Sequence, residues 1–368
     1  MKNKTKNIVL TVLLAVFIFS FSAWCIIKEE DIYSDSERRA LSLFPEITWD
    51  NILSTEFMSD FEDFTLDQFP LRDVFRSVKA ISEKYIFARK DNNDIYTADG
   101  HISKLEYPFN IPMLDYAAGR FNYINKTFLA DADCNVYISV IPDKNYFLAE
   151  KNGYLHIDYN SLVAHMKDKT DYMTYIDIID MLSIDDYYTT DTHWKQENIT
   201  DVAEHIGTVM GADVKADYTV NTLDNPFYGV YYGQAALPFK ADTIKYLTSN
   251  VLDNCVVTSY DTSKPVQKHI YDMEKAYGKD PYEMFTSGSV ALITIKNPLA
   301  ETDKELVMFR DSFGSSLAPL LVQGYRKITL VDIRYISPTA LGSFVSFENC
   351  DVLFIYSTML LNNSRGFK

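Results

Sequence analysis

Five short, almost uninterrupted apolar runs constrain the fold of this 368-residue chain more than any other feature. They lie at 135–141 (NVYISVI), 175–179 (YIDII), 306–309 (LVMF), 328–331 (ITLV) and 352–356 (VLFIY). A strand needs such a run when both of its faces are buried, which is the situation of a parallel strand between helices. The stretches 198–209 and 316–324 have the spacing of intervening helices. The alternation specifies an α/β sandwich over residues 81–368, with 214–290 as a less regular, Tyr- and Asp-rich insertion. Residues 28–80 read as a leader packing on that body. Within it Phe57, Phe61 and Phe64 recur at helical spacing, and Pro70 sits near a second helix start.

Two polar motifs carry the chemistry. In Asp191-Thr192-His193-Trp194 the Asp and His stand at i and i+2, on the same face of an extended segment. In Arg310-Asp311-Ser312-Phe313-Gly314 a serine follows an apolar run and precedes a helical pattern. A side chain there emerges at the C-terminal edge of the sheet, where α/β proteins bind ligands. The following helix offers unpaired N–H groups to a developing oxyanion. Ser312, His193 and Asp191 thus make up a nucleophile, a base and an orienting carboxylate, the minimum set for acyl transfer through a serine ester. Each has a plainer reading. Ser312 suits a helix cap, and Asp-x-His is also half of a metal site, with His205 the other nearby histidine. No metal and no cofactor is expected. Asp185 and Asp186 read as solvated surface.

The first 27 residues set the compartment. Lys2, Lys4 and Lys6 precede an uncharged run over 8–27, closed by Lys28, Glu29, Glu30 and Asp31. Twenty such residues at about 1.5 Å each span roughly the 30 Å of a bilayer core. The N-terminal lysines keep that end in the cytoplasm and place the rest outside. A single-pass anchor is expected, with a cleaved secreted form as the alternative. The formal charge is −16, so without those three lysines residues 28–368 carry −19. That argues against nucleic acid as a partner. With Cys25 in the apolar run, Cys134, Cys255 and Cys350 remain, an odd number with no zinc-type spacing.

The chain resembles the DHHW family of bacterial cell-envelope proteins, which is related to the SGNH-hydrolase-like O-acetyltransferases of alginate modification. The matching stretches are Glu37-Arg38-Arg39-Ala40-Leu41, Asp67-Gln68-Phe69-Pro70-Leu71-Arg72, Ile141-Pro142-Asp143-Lys144, Asp191-Thr192-His193-Trp194, Ile295-Lys296-Asn297-Pro298, Arg310-Asp311-Ser312-Phe313-Gly314 and Val331-Asp332-Ile333-Arg334-Tyr335. Thr192 stands where the family's naming motif has its first His. The resemblance implies an SGNH-hydrolase-like three-layer sandwich with a mostly parallel sheet, behind an N-terminal transmembrane helix. By the same resemblance Asp191, His193 and Ser312 map onto the acyl-transfer residues. Their order Asp…His…Ser is reversed from ordinary SGNH hydrolases and agrees with the permuted alginate group. Lys144, Asn297 and Arg334 fall in matching stretches at expected strand ends, with substrate binding and packing both open.

The expected function is O-acyl transfer, acetyl foremost, on an envelope polysaccharide. An enzyme outside the cell lacks acetyl-CoA, so the resemblance implies a membrane-bound O-acyltransferase partner as donor. A carbohydrate acetylesterase with the same residues, and a non-catalytic envelope protein binding glycan or an assembly partner, are the alternatives.

Overall fold

In the computed structural model residues 2–262 and 264–368 are described. They divide into two compact units, Met1–Asn92 with Tyr232–Pro238, and Asn93–Tyr231 with Phe239–Lys368.

The smaller unit opens with helix α1 (Lys2–Ile27). Its 25 residues from Asn3 to Ile27 are long and apolar enough to cross a membrane. Helices α2 (Glu56–Asp67) and α3 (Arg72–Tyr85) follow. The Phe57, Phe61 and Phe64 stripe of α2 packs its rings around Phe44. Two matching stretches of the sequence meet here through charge. Arg39 grips Asp67 with both guanidinium nitrogens at 2.5 and 2.8 Å, and Glu37 pairs with Arg72 at 2.5 Å and Arg76 at 3.1 Å. The bidentate Arg39 contact holds the Asp67 carboxyl down at about 2.

The larger unit is a mixed α/β sandwich. The strands of its central sheet are β1 (Cys134–Ile141), β2 (Thr174–Tyr175), β3 (Val256–Ser259), β4 (Val266–Lys268), β5 (Leu292–Lys296), β6 (Glu305–Arg310), β7 (Lys327–Val331) and β8 (Cys350–Ser357). They form one eight-stranded sheet in the order β4-β3-β5-β7-β6-β8-β1-β2. The five strands β7, β6, β8, β1 and β2 run parallel, whereas β5, β3 and β4 join antiparallel at one edge.

Period-two alternation explains why the parallel strands had to be apolar throughout. Leu306, Met308, Leu353 and Ile355 face one core, shared with α7 (Thr200–Val209) and α8 (Phe313–Leu321). Val307, Phe309, Val352 and Phe354 face the other, shared with α4 (Ile111–Ile124) and α6 (Tyr159–Lys169). Layers on both sides leave these strands no solvent face.

Three details differ from the sequence reading. The run at 175–179 pairs only at its start, through Thr174–Tyr175 and the Ile176 N–H on the Ile138 carbonyl, before the Asp177 carboxylate takes the Ile179 N–H and the chain turns into a short 3₁₀ helix. Helix α8 starts at Phe313, three residues early, and tightens into a 3₁₀ turn at Val322–Gly324. The antiparallel edge was not foreseen, since β3 and β4 are short and arise within 214–290. Cys134 and Cys350 stand in register on neighbouring strands with their sulfurs 3.1 Å apart, both as free thiols.

Candidate active site

The C-terminal ends of the parallel strands carry the polar residues singled out in the sequence. After β6 come Asp311 and Ser312, after β1 Asp143 and helix α5 (Lys144–Asn152), and after β7 Asp332 and Arg334. Ser312 is the N-cap residue of α8, yet its hydroxyl makes no capping bond. Asp311 does that work instead, with Oδ1 accepting the Phe313 N–H and Oδ2 the Ser357 N–H.

The freed hydroxyl lies 2.7 Å from His193 Nε2, across 119 residues of sequence. His193 Nδ1 lies 2.6 Å from Asp191 Oδ1, so the ring proton belongs on Nδ1 and Nε2 is left to accept from Ser312. Asp191 is buried and held by two amides, the His193 N–H on Oδ1 and the Val230 N–H on Oδ2. His193 and Ser312 retain partial exposure, the condition for meeting a substrate. All three residues therefore form one hydrogen-bonded line, from a buried carboxylate to an accessible hydroxyl.

The neighbouring residues hold that line in place. Trp194, fully buried, donates from Nε1 to the Phe313 carbonyl and to Ser316 Oγ. Gln196 donates to the Ser316 carbonyl. The motif at 191–194 is thus laced to the first turn of α8. The Tyr282 ring stacks on the His193 ring, 3.9 Å between centroids and 10° between planes, and its hydroxyl pairs with Ser316 Oγ. Tyr231 donates to Thr192 Oγ1, the position that departs from the DHHW pattern. Gly229 allows the close approach: a Cβ there would meet Asp191 Cβ at 2.2 Å. Tyr282, Tyr231 and Gly229 gave no sequence signal, because none stands in a motif or at a periodic position.

The other noted residues have structural partners. Lys144 is buried against main-chain carbonyls, Asn297 donates to the Val322 carbonyl, and Arg334 forks onto Asp332. Asp186 closes a capping box with Ser183. Buried Arg310 donates to the Gly288 carbonyl. For an oxyanion, the Phe313 and Gly314 N–H groups are already engaged by Asp311. Among the described residues no group of three or more His, Cys, Asp or Glu is placed to hold a metal.

No family model and no curated protein sequence matches the chain. Solved structures do. A DHHW family protein from Eubacterium siraeum aligns over 75% of this chain and 95% of its own, at 20% identity and a TM-score of 0.62. PatB1 of Bacillus cereus, solved with a sulfonyl adduct, aligns over 73% and 97%, at 19% identity and a TM-score of 0.59. The O-acetyltransferase domain of Pseudomonas putida AlgJ aligns more loosely, over 74% and 93%, at 9% identity and a TM-score of 0.44. The likeness is one of fold: this chain shares a mixed α/β sandwich with these structures, a DHHW family protein among them.

Proposed function

We propose that this protein transfers an O-acyl group, acetyl foremost, to a cell-envelope polysaccharide, with Ser312 as nucleophile, His193 as general base and Asp191 as its orienter. The observation that carries the proposal is the uncapped Ser312 hydroxyl 2.7 Å from His193 Nε2, with Asp191 behind the ring. A serine that merely capped α8 would spend its hydroxyl on the helix.

In the proposed cycle Ser312 Oγ attacks the acyl carbonyl of the donor as its proton passes to His193 Nε2. The protonated imidazole returns that proton to the departing donor oxygen, leaving an acyl-serine. An acceptor hydroxyl then attacks, giving its proton to His193, and Ser312 regains it as the new ester leaves. Asp191, buried and fixed by two amides, balances the imidazolium in both halves.

The acyl group and the glycan class rest on the resemblance to alginate-modifying enzymes. The same resemblance suggests a membrane-bound O-acyltransferase as donor. Helix α1, with Lys2, Lys4 and Lys6 at its N-terminal end, favours anchorage with the larger unit outside the cell.

The test uses full-length protein in detergent with an acetyl-ester chromogen, read by turnover and intact mass. Wild type is expected to acquire an acetyl adduct that Ser312→Ala lacks. Equal adduct formation in both would remove Ser312 as nucleophile. Added oligosaccharide separates transfer from hydrolysis: acetylated sugar marks a transferase, acetate alone an esterase.

A further inference from the structure

Lys144 sits where a cation is least at home. It is the first residue of helix α5, where the helix dipole repels positive charge, and its side chain is fully buried. Three main-chain carbonyls receive its ammonium: Tyr188 at 2.8 Å, Thr189 at 2.9 Å and Asp191 at 3.1 Å. An ammonium has three protons, so this cradle uses every one of them.

The opposite side of the same segment meets an anion. Asp242 Oδ1 accepts the Thr189 N–H at 2.9 Å, and Oδ2 accepts the Thr190 N–H at 2.7 Å and the Thr190 hydroxyl at 2.6 Å. Asp242 is itself fixed by paired main-chain bonds to Phe227. Backbone 188–191 therefore runs between a cation that takes its carbonyls and a carboxylate that takes its amides. It leads straight into Asp191 and His193. Neither Lys144 nor Asp242 touches Ser312 or the imidazole in any contact described above.

We infer that Lys144 and Asp242 are positioning residues, a two-sided clamp whose charge on Lys144 holds the Asp191–His193 segment in register with Ser312. The inference rests on the proposed role of Ser312. Deprotonation of Lys144 removes one of its three donors, so one carbonyl of the cradle loses its bond to Lys144 and one jaw loosens; the Thr189 carbonyl also accepts the Ile102 N–H. The charged groups facing the ammonium are Asp191 and Asp242, which support its charge, and Lys195, which opposes it; burial draws His101 down to about 4 and keeps it neutral, and the Tyr231 ring lies 5.6 Å away. Burial outweighs the two carboxylates and draws Lys144 from 10.5 to about 7. The clamp is then shut below neutral pH and relaxes above it. A lysine that served packing alone would leave the site indifferent to its protonation.

The experiment follows two readouts from pH 5.5 to 9 on the full chain in detergent. One is the rate of Ser312 labelling by phenylmethylsulfonyl fluoride. The other is hydrogen-exchange protection of the 187–193 peptide, corrected for intrinsic rates. In wild type both are expected to fall above about pH 7. Lys144→Arg, which cannot lose its charge, is expected to keep both at alkaline pH. Lys144→Met is expected to lose loop protection at every pH and to label about 10- to 100-fold more slowly, the range for a misplacement near 1 Å. Asp242→Asn is expected to lower protection of the same peptide without a pH step of its own.

Protection in native protein that stays flat from pH 5.5 to 9 overturns the clamp, whether or not the variants fold. A pH step that Lys144→Arg shares with wild type overturns it equally. Absence of labelling in every form discards Ser312 as the nucleophile, and the exchange data still decide the clamp.

Discussion

Ser312 Oγ and His193 Nε2 lie 2.7 Å apart although 119 residues separate them, and Trp194 closes the same gap by donating to the Phe313 carbonyl at 3.1 Å. The hydrogen-bonded pair and its brace thus come from adjacent residues on each side. Position 193 meets 312 while 194 meets 313, so the two segments cannot slide without breaking both contacts.

Trp194→Phe keeps an aromatic ring, though a smaller one, and deletes that brace. Two buried acceptors, the Phe313 carbonyl and Ser316 Oγ, each lose a donor. A loss of about 1–3 kcal/mol is expected, read as a lower urea midpoint. Ser312 labelling is expected to slow as well, because the brace and the Ser312–His193 pair meet at the same end of α8.

Tyr282 separates stacking from hydrogen bonding. Tyr282→Phe preserves the ring 3.9 Å from His193 and loses only the bond to Ser316, whereas Tyr282→Leu loses both. The stack is worth about 0.5–1.5 kcal/mol beyond its buried area. Leu is therefore expected to reduce labelling several-fold more than Phe. Equal rates would show that the stack leaves the imidazole's position unchanged.

Gly229→Ala is expected to abolish labelling while most of the sandwich still folds. The added Cβ falls 2.2 Å from Asp191 Cβ and 2.5 Å from the Thr190 carbonyl oxygen, so one backbone must withdraw. Withdrawal strains the Val230 amide's bond to Asp191 Oδ2. Far-UV circular dichroism close to wild type, with Ser312 unreactive, is the expected combination.

Glu106 gives a pH signature away from the site. Burial pushes its carboxyl up to about 7, against the donors Asn362 and Asn363. A raised carboxyl favours folding fully below the unfolded value near 4.5, and the advantage is lost as pH rises through about 7. At 1.36 kcal/mol per unit the interval amounts to about 3 kcal/mol. Glu106→Gln stays neutral and keeps an acceptor oxygen. Its urea midpoint is expected to exceed that of wild type at pH 8 and to match it near pH 4.

The parallel strands were legible because burial on both faces writes itself into consecutive residues. Leu306 to Phe309 have to be apolar one after another when Leu306 and Met308 face one core and Val307 and Phe309 the other. Edge strands carry no such demand. Val256–Ser259 and Val266–Lys268 are short and partly exposed, and their antiparallel pairing left no trace in composition. Asp191 and His193 were legible for another local reason, complementary chemistry at i and i+2, although they lie in a bend closed by the His193 N–H on Asp191 Oδ1 and not on an extended segment. Lys144 stood in a noted motif, but its role was not readable there, because its three acceptors lie more than forty residues away. Asp242 belonged to no motif at all.

From local order alone the sequence determined a buried parallel sheet, an N-terminal apolar helix, and three residue types suited to acyl transfer. Those properties depend on neighbours in the chain, on periodicity, run length and chemical kind. Tertiary structure alone decided that Ser312 turns away from its helix toward His193, and that Tyr282 covers the imidazole. It also decided that a buried ammonium and a carboxylate grip the loop between them. Each is a contact between distant segments, set by how whole elements pack, and hydrogen bonds of under 3 Å depend on that packing rather than on any spacing along the chain.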